Sequence, residues 1–366
     1  MDFFATAAFG LEGLTKRELN RLGIEARAEN GGARFSGGME QAFLANLWLR
    51  TADRVLLIAG EGEAATFEAL FQLTKSIPWE NILPRNARFP VSGKCARSQL
   101  MSVRDCQAIV KKAIVERLKS KYKTQWFPED GPEYKIDVSI HGDVARLTVD
   151  TSGAALNKRG YRTWNGEAPL RETLAAALCL LSPIQRDQPL CDPCCGTGTL
   201  LIEAAFIRSD RAPGLNRAFA CESWPQFSGQ FMADMRSEAA ERFDVAKIGV
   251  IRGGDIDPAA LELCKRHLKQ AGLGGRVTVT QTDLRDLILE GPAPFFLLNP
   301  PYGERLGDKK ACESLYRALR QLRDRHPGSR MGVLTAHTGF ERCFGQRAAQ
   351  KRRLYNGRLE CEFMIF

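Results

Sequence analysis

The chain has 366 residues, 44% of them hydrophobic, which excludes a fully disordered protein and favours two domains or slightly more. It has no apolar run long enough to span a membrane, and its N-terminus, M-D-F-F-A-T-A-A-F-G, lacks a basic leader, so neither a membrane helix nor a signal peptide is expected and a cytoplasmic location is. The formal net charge is +9, and residues 91–125 hold nine basic residues against two acidic ones, a concentration that points to a polyanionic partner.

In chain order, Glu12–Leu22 has a helical pattern, Ala33–Phe35 an extended one, Gln41–Leu49 is helical again and Arg54–Ala59 is an apolar strand. A helix follows at Thr66–Ser76, then the Pro-punctuated W-E-N-I-L-P and a strand at Arg88–Ser92. Val103–Tyr122 is a long amphipathic helix: Ile109, Ala113, Ile114 and Leu118 share one face and the lysines lie elsewhere. Lys135–Ile140 and Ala145–Asp150, joined by H-G-D, read as a β-hairpin. The first part of the chain is therefore α+β and basic.

Thr151–Gly166 is Gly-rich and polar, with N-K-R-G-Y-R at its centre, and reads as a linker. From Pro169 strands alternate with helices, the pattern of an open, largely parallel α/β sheet. The helices are Arg171–Leu181, Thr199–Arg208, Pro258–Ala271 and Lys309–Arg325. The strands are Pro189–Asp192, Ile248–Gly253, Arg276–Thr280, Pro294–Leu298 and Arg330–Thr335, with an insertion running to about Phe243. Lys351–Tyr355 and Arg358–Phe366 flank Asn356-Gly357, a strong hairpin signal, so the sheet is expected to end in an antiparallel hairpin. A second basic cluster, Arg342, Arg347, Lys351, Arg352, Arg353 and Arg358, falls here.

Residues 190–199, L-C-D-P-C-C-G-T-G-T, set three cysteines beside a Gly-x-Gly turn. A zinc site needs two ligands beyond Cys191 and Cys194, and the sequence has neither a second C-x-x-C nor an H-x-x-x-H, so no metal is expected. The eleven scattered cysteines are expected to be mostly buried thiols. Asp192 ends a strand, and Gly196 and Gly198 open the next helix, where the backbone can approach a ligand and unpaired N–H groups face it. The dinucleotide fingerprint fails because Leu201 holds its third glycine position, and a P-loop fails because Arg88 stands where its first glycine belongs. Three more strand ends follow: Asp255 in R-G-G-D-I-D-P, placed to bind ribose hydroxyls; Asp283 in Q-T-D-L, placed to accept from an adenine amine; and L-L-N-P-P-Y-G, residues 297–303.

With D-P-C-C-G-T-G-T, the two strand-end aspartates and N-P-P-Y in this order, the segment from Pro169 to Phe366 resembles a class I S-adenosylmethionine-dependent methyltransferase. The preceding part, with its basic helix, hairpin and K-R-G-Y-R exit, resembles the THUMP RNA-binding region. N-K-R-G-Y-R…A-P-L-R-E-T-L-A-A-A and N-P-P-Y-G-E-R-L-G make the whole similar to the bacterial 23S rRNA guanine-N2 methyltransferases. The resemblance implies an α/β fold: a ferredoxin-like α+β region at 1–62, a THUMP domain at 63–155, a linker at 156–168, and a Rossmann-like methyltransferase sheet at 169–366, mostly parallel with a terminal antiparallel hairpin. It implies S-adenosylmethionine held by Asp192, Pro193, Cys195, Gly196, Thr197, Gly198, Asp255, Ile256, Asp283, Leu284 and Asn299, with Thr173 near the methionine end. It implies an RNA partner, 23S rRNA or a ribosome precursor, met by Lys94, Arg97, Lys111, Lys112, Lys119, Lys121, Arg159, Arg352 and Arg353. Some members carry a second methyltransferase domain beyond the position of Phe366, so a second activity is expected to reside in another protein.

In that reading N-P-P-Y acts on an exocyclic amine. The Asn299 side-chain oxygen and the Pro300 carbonyl accept its two N–H bonds, Pro301 stiffens the loop and Tyr302 offers a ring for the flipped base. The Pro-Cys pair at Cys194 resembles a cytosine-C5 nucleophile, but that nucleophile belongs after the fourth strand, where this chain has N-P-P-Y. Guanine-N2 methylation of tRNA, adenine-N6 methylation, glutamine methylation of a protein, and a non-catalytic RNA-binding assembly factor stand as alternatives.

Overall fold

A computed structural model describes residues 1–162, 170–227, 229–303 and 308–366, arranged around two seven-stranded sheets. The first is built from β1 (Asp2–Ala7), β2 (Ala26–Glu29), β3 (Gly32–Ser36), β4 (Ala52–Glu63), β5 (Val91–Ala96), β6 (Ile136–His141) and β7 (Val144–Asp150), in the order β2-β3-β1-β4-β7-β6-β5. Only β5 and β6 pair in parallel. The twelve-residue β4 pairs through Ala52–Ile58 with β1 and through Leu56–Glu63 with β7, so the ferredoxin-like and THUMP regions share one continuous sheet. Its helices are α1 (Glu12–Arg21), α2 (Met39–Trp48), α3 (Phe67–Ser76) and α4 (Val103–Tyr122). The last begins at Ser102, whose hydroxyl accepts the Asp105 N–H at 3.3 Å, and buries Cys106, Val110, Ala113, Ile114 and Leu118 at helical spacing.

The second sheet runs β10-β9-β8-β11-β12-β14-β13. Its strands are β8 (Leu190–Asp192), β9 (Ile251–Asp255), β10 (Thr278–Gln281), β11 (Phe295–Leu298), β12 (Arg330–Thr335), β13 (Gln350–Asn356) and β14 (Leu359–Ile365). The first five are parallel, and the expected hairpin of β13 and β14 pairs antiparallel on β12; Asn356 pairs with Leu359, so the chain turns at Gly357-Arg358, one residue later than expected. Helices α5 (Glu172–Leu181), α6 (Thr199–Arg208), α7 (Gly229–Glu241), α8 (Pro258–Gln270), α9 (Asp308–Asp324) and α10 (Phe340–Phe344) complete the chain. Strand order reverses between β8 and β11, so the crevice at their carboxyl ends is where this architecture takes a ligand.

Several elements depart from the sequence expectation. The strands β1 and β2 and the short α10 were not anticipated. The strand expected at Ile248–Gly253 starts at Ile251, because Asp244 caps a helical turn at Val245–Ile248 and Gly249 turns back at φ +65°. That shift makes Asp255 the last residue of β9. Residues 163–168 of the linker lie outside the described part. The rest of Thr151–Gly166 is not a loose connector, since Thr151, Ser152, Leu156, Arg159 and Tyr161 are buried.

The insertion between α6 and β9 works as a strap. Phe219, Cys221, Trp224, Phe227 and Met232 join the core of the first sheet rather than that of the second. Trp224 stacks on Tyr134 at 4.4 Å and donates its indole N–H to the Glu133 carbonyl at 3.0 Å, while Gln226 donates to the Ile82 carbonyl at 2.9 Å. Among the described residues no helix is long and apolar enough to cross a membrane.

Candidate active site

At the carboxyl ends of β8 and β11 lies a cleft of ≈420 Å³, walled by Asp192, Gly196, Thr197, Thr199, Asp257 and Asn299 among others. Strand β8 is wholly buried and delivers Asp192 to its floor. The Asp192 carboxylate accepts the Cys194 N–H at 3.1 Å, which folds the chain into the Gly-x-Gly turn. Asp255 closes the turn from β9: one carboxylate oxygen accepts the Gly196 N–H at 2.8 Å and the other the Asp257 N–H at 3.0 Å. Gly196 has φ +50° and open space where a side chain would stand, so its backbone faces the cleft. Gly198 is required for a different reason: it has φ +84°, and a Cβ there would lie 2.5 Å from the Cys264 sulfur on α8.

Asp192 is 2% exposed, and burial, with the Asp255 carboxylate nearby, pushes its pKa up to about 8. Asp283 behaves oppositely. It accepts the Arg285 N–H at 2.9 Å and the Arg285 guanidinium at 2.7 Å, and these bonds hold its carboxyl below the usual range. Asp255, Ile256, Asp283 and Leu284 stand beside the cleft, at the ends of β9 and β10, with Pro193 under Gly254. Ile256 is 67% exposed, an apolar surface on the rim, whereas the Leu284 side chain is buried in the core, leaving only its main chain to meet a ligand.

The three cysteines divide between two cores. Cys191, with Cys194 against it, packs on the α9 side of the sheet and Cys195 on the other, beside Cys264. Burial raises the pKa of Cys191 and Cys194, and the hydrogen bond with Cys264, with burial behind it, raises that of Cys195, so all three stay protonated and serve packing.

Asn299 follows β11 and reaches the cleft wall. Pro300 is buried and Pro301 exposed, and the buried Tyr316 of α9 donates its hydroxyl to the Pro301 carbonyl at 2.8 Å, which pins the loop. Nothing in the sequence singles out Tyr316, because it looks like one more apolar position of an amphipathic helix. The stacking surface expected of Tyr302 is not presented here. Tyr302 is half-buried against the core, has Asn356 and Cys361 as hydrogen-bonding neighbours, and donates its hydroxyl to Asn299 Oδ1. Residues 304–307, the E-R-L-G of the longer motif, lie outside the described part.

Two expected site residues are corrected. Thr173 is buried and donates to Asp53 Oδ1 at 3.2 Å across the boundary with the first sheet, so it does not face the cleft. Arg159 is 4% exposed; it pairs with the buried Glu203 at 3.5 Å and donates to the carbonyls of Leu156 and Arg50, so it has no surface to offer RNA. Around it Tyr161 donates to Glu203 at 3.0 Å, and Arg162 pairs with Glu172 at 3.2 Å while donating to the Thr199 hydroxyl on the cleft wall. Within K-R-G-Y-R, Arg159 and Tyr161 are therefore a buried joint and Arg162 carries it to the cleft wall, while Lys158 and Gly160 stay exposed.

The remaining cationic candidates are at the surface, though not equally free. Lys111 sits 3.7 Å over the Phe89 ring and pairs with Glu129 at 3.0 Å; Lys119 pairs with Glu116 at 3.4 Å and Lys121 with Glu80 at 3.5 Å. Arg117 also grips Glu80, whose carboxyl falls to about 2 in consequence. Arg353 pairs with Glu360 at 3.2 Å. Lys94, Arg97, Lys112 and Arg352 are exposed and show no ion pair with the described residues.

Residues 2–56 match the RlmL ferredoxin-like domain family, residues 64–150 the THUMP domain family, and residues 159–365 the RMKL-like methyltransferase domain family. The chain is 41% identical over 361 residues to YpsC of Bacillus subtilis, covering 98% of this chain and 94% of that protein. It is 36% identical to the ribosomal RNA large subunit methyltransferase K/L of Methylococcus capsulatus, covering all of this chain and 51% of that protein, so it spans about half the length of that relative. Among solved structures it is similar to the methyltransferase SMU.472, determined with bound SAH, at a TM-score of 0.96 and 41% identity over 100% of this chain and 97% of that one.

Proposed function

Because this chain belongs to the RMKL-like methyltransferase family with an N-terminal ferredoxin-like and THUMP region, we propose that it methylates the exocyclic N2 amine of a guanine in 23S rRNA. The observation that carries this reading is that Asn299 of N-P-P-Y and the glycine turn after β8 wall the same cleft. The names of its relatives agree: YpsC is called an RNA methyltransferase, and the K/L protein a large-subunit rRNA methyltransferase. The methyl donor is S-adenosylmethionine, which supplies an electrophilic methyl group on a sulfonium. The cleft fits it: Gly196 leaves a cradle open, Asp192 offers a carboxylate to cationic groups, and exposed Ile256 offers an apolar rim.

The chain's own residues then prepare the amine. Its lone pair is delocalised into the purine ring, which makes it a weak nucleophile. Asn299 Oδ1 and the Pro300 carbonyl accept its two N–H bonds, which turns the lone pair toward the cleft and disperses charge as nitrogen becomes cationic. No strong base is needed, because the alkylated amine is itself acidic. Tyr302 already donates to Asn299 Oδ1, so the incoming amine takes over an acceptor that the tyrosine hydroxyl holds.

Incubation of the protein with S-adenosylmethionine and an unmodified 23S rRNA transcript, followed by nucleoside mass analysis, should yield N2-methylguanosine. N6-methyladenosine instead would redirect the reading to the other amine, and methylation confined to tRNA would replace the substrate.

Asp192 leads to a second expectation. Its carboxyl is near half-protonated at about pH 8. A cation bound against it favours the ionised form and lowers that value, so cofactor binding near neutral pH should expel a proton. Affinity should rise with pH up to about 8 and level off above it. Calorimetry in buffers of different ionisation enthalpy measures the proton, and Asp192→Asn should abolish its release.

For the RNA face, replacing Lys111, Lys112, Lys119 and Lys121 with alanine should flatten the salt dependence of binding by about 0.7–0.9 in log–log slope for each phosphate that the protein no longer neutralises. Three of the four are already paired with glutamates. An unchanged slope would make α4 a solvated face and leave Lys94, Arg97 and Arg352 to meet the phosphates.

A further inference from the structure

Phe9 lies in the loop between β1 and α1 and is 58% exposed, although the loop around it is tightly built. The Gly10 N–H donates to Glu12 at 2.8 Å. Gly10 has φ +88°, and a Cβ there would come within 2.8 Å of the Arg353 carbonyl on β13, so the loop is pressed against the terminal hairpin. This approach sets the Phe9 ring edge-on to Tyr355, with centroids 5.7 Å apart and planes at 86°. Tyr355 is fixed in turn by its hydroxyl, which donates to Glu360 at 2.9 Å. An aromatic pair is thus held at the surface by one residue from each sheet's domain.

Its position ties it to the cleft. Tyr355 precedes Asn356, whose side chain meets Tyr302 of N-P-P-Y. Strand β14 pairs with Thr335 at Glu362, so the turn of the hairpin stands at the same end of the sheet as the site. Between Gln350 and Leu359 the chain carries four basic residues; Lys351 pairs with Glu341 at 2.6 Å and Arg353 with Glu360 at 3.2 Å, while Arg352 and Arg358 show no ion pair with the described residues. A fixed aromatic surface with cationic flanks suits a nucleobase on a phosphate backbone, and an apolar partner would find little else to bury here.

We propose that Phe9 and Tyr355 form a shelf on which a base flanking the target nucleotide stacks, a subsite composed by the two domains together. The inference rests on the RNA reading above. The target base enters the cleft, its neighbour leaves the stack with it, and the shelf replaces the missing partner.

The test uses the full chain and an unmodified 23S rRNA transcript. Phe9→Ala and Tyr355→Ala should each weaken RNA binding about 5- to 100-fold, with cofactor affinity unchanged. The log–log salt slope should also stay as in the wild type, because neither change removes a cation from the phosphates. Phe9→Trp should bind like the wild type and Phe9→Leu like the alanine variant, since a π-face is required and bulk is not. Equal binding by wild type, Phe9→Ala and Tyr355→Ala, or rescue by leucine, overturns the shelf alone. Failure of the wild type to bind the transcript overturns the RNA reading and the shelf with it.

Discussion

Asn299→Ala should lower turnover by about 10²–10³-fold, the range for removing one preorganised polar partner of a developing charge, while S-adenosylmethionine affinity changes little. The asymmetry follows from geometry: Asn299 stands in the cleft wall, whereas the cofactor turn is held by Asp192, Asp255 and the glycine backbone. Single-turnover rates with saturating cofactor isolate the transfer step. Tyr302→Phe is the informative companion, because it removes the hydroxyl that holds Asn299 Oδ1 and keeps the ring. Near-normal turnover by Asn299→Ala would remove N-P-P-Y from the chemistry of this protein.

Arg159→Ala should destabilise the fold by about 3–5 kcal/mol, because it strips the buried Glu203 carboxylate of its nearest cation. Tyr161 alone would then hydrogen-bond that carboxylate, with Arg50 at longer range. Replacing Arg159 and Glu203 together with methionine and leucine should cost less than the single change, since no unpaired charge stays behind. Urea titrations of the wild type and the two variants measure this. A stable Arg159→Ala protein with a reduced salt slope for RNA would return the residue to the nucleic-acid surface.

Arg159 also shows what sequence conceals. In K-R-G-Y-R it looks like a phosphate contact because charge is a local property, whereas burial is decided by Glu203 and Arg50, which lie far away along the chain. Thr173 misleads in the same way, its partner Asp53 lying on the other sheet. Pairing of Leu56 with Asp150 joins the first two regions into one sheet without any local mark. The cleft was legible for the opposite reason. Each of its parts sits at the end of a strand, where chemistry restricts residue type: glycine for close backbone approach, aspartate to brace a turn, Asn-Pro-Pro to present carbonyl acceptors. Helix α4 was read to the residue because its apolar stripe and cap are local. The geometry of Tyr302 was not, because a ring that can stack on a base and a ring packed on a hairpin have the same sequence.

The strap between α6 and β9 bears on how an RNA could be chosen. Domains joined by a flexible tether accept any pair of features their linker can span, and the tether sets only an effective concentration. Here Trp224, Phe227 and Met232 are seated in the core of the other sheet. The separation between the cationic surface of the THUMP region and the cleft is then a fixed length. Such a molecule acts as a caliper: on the RNA reading, a target base is admitted when it stands at the right distance from a second feature of the folded transcript, and selectivity becomes a measurement of shape.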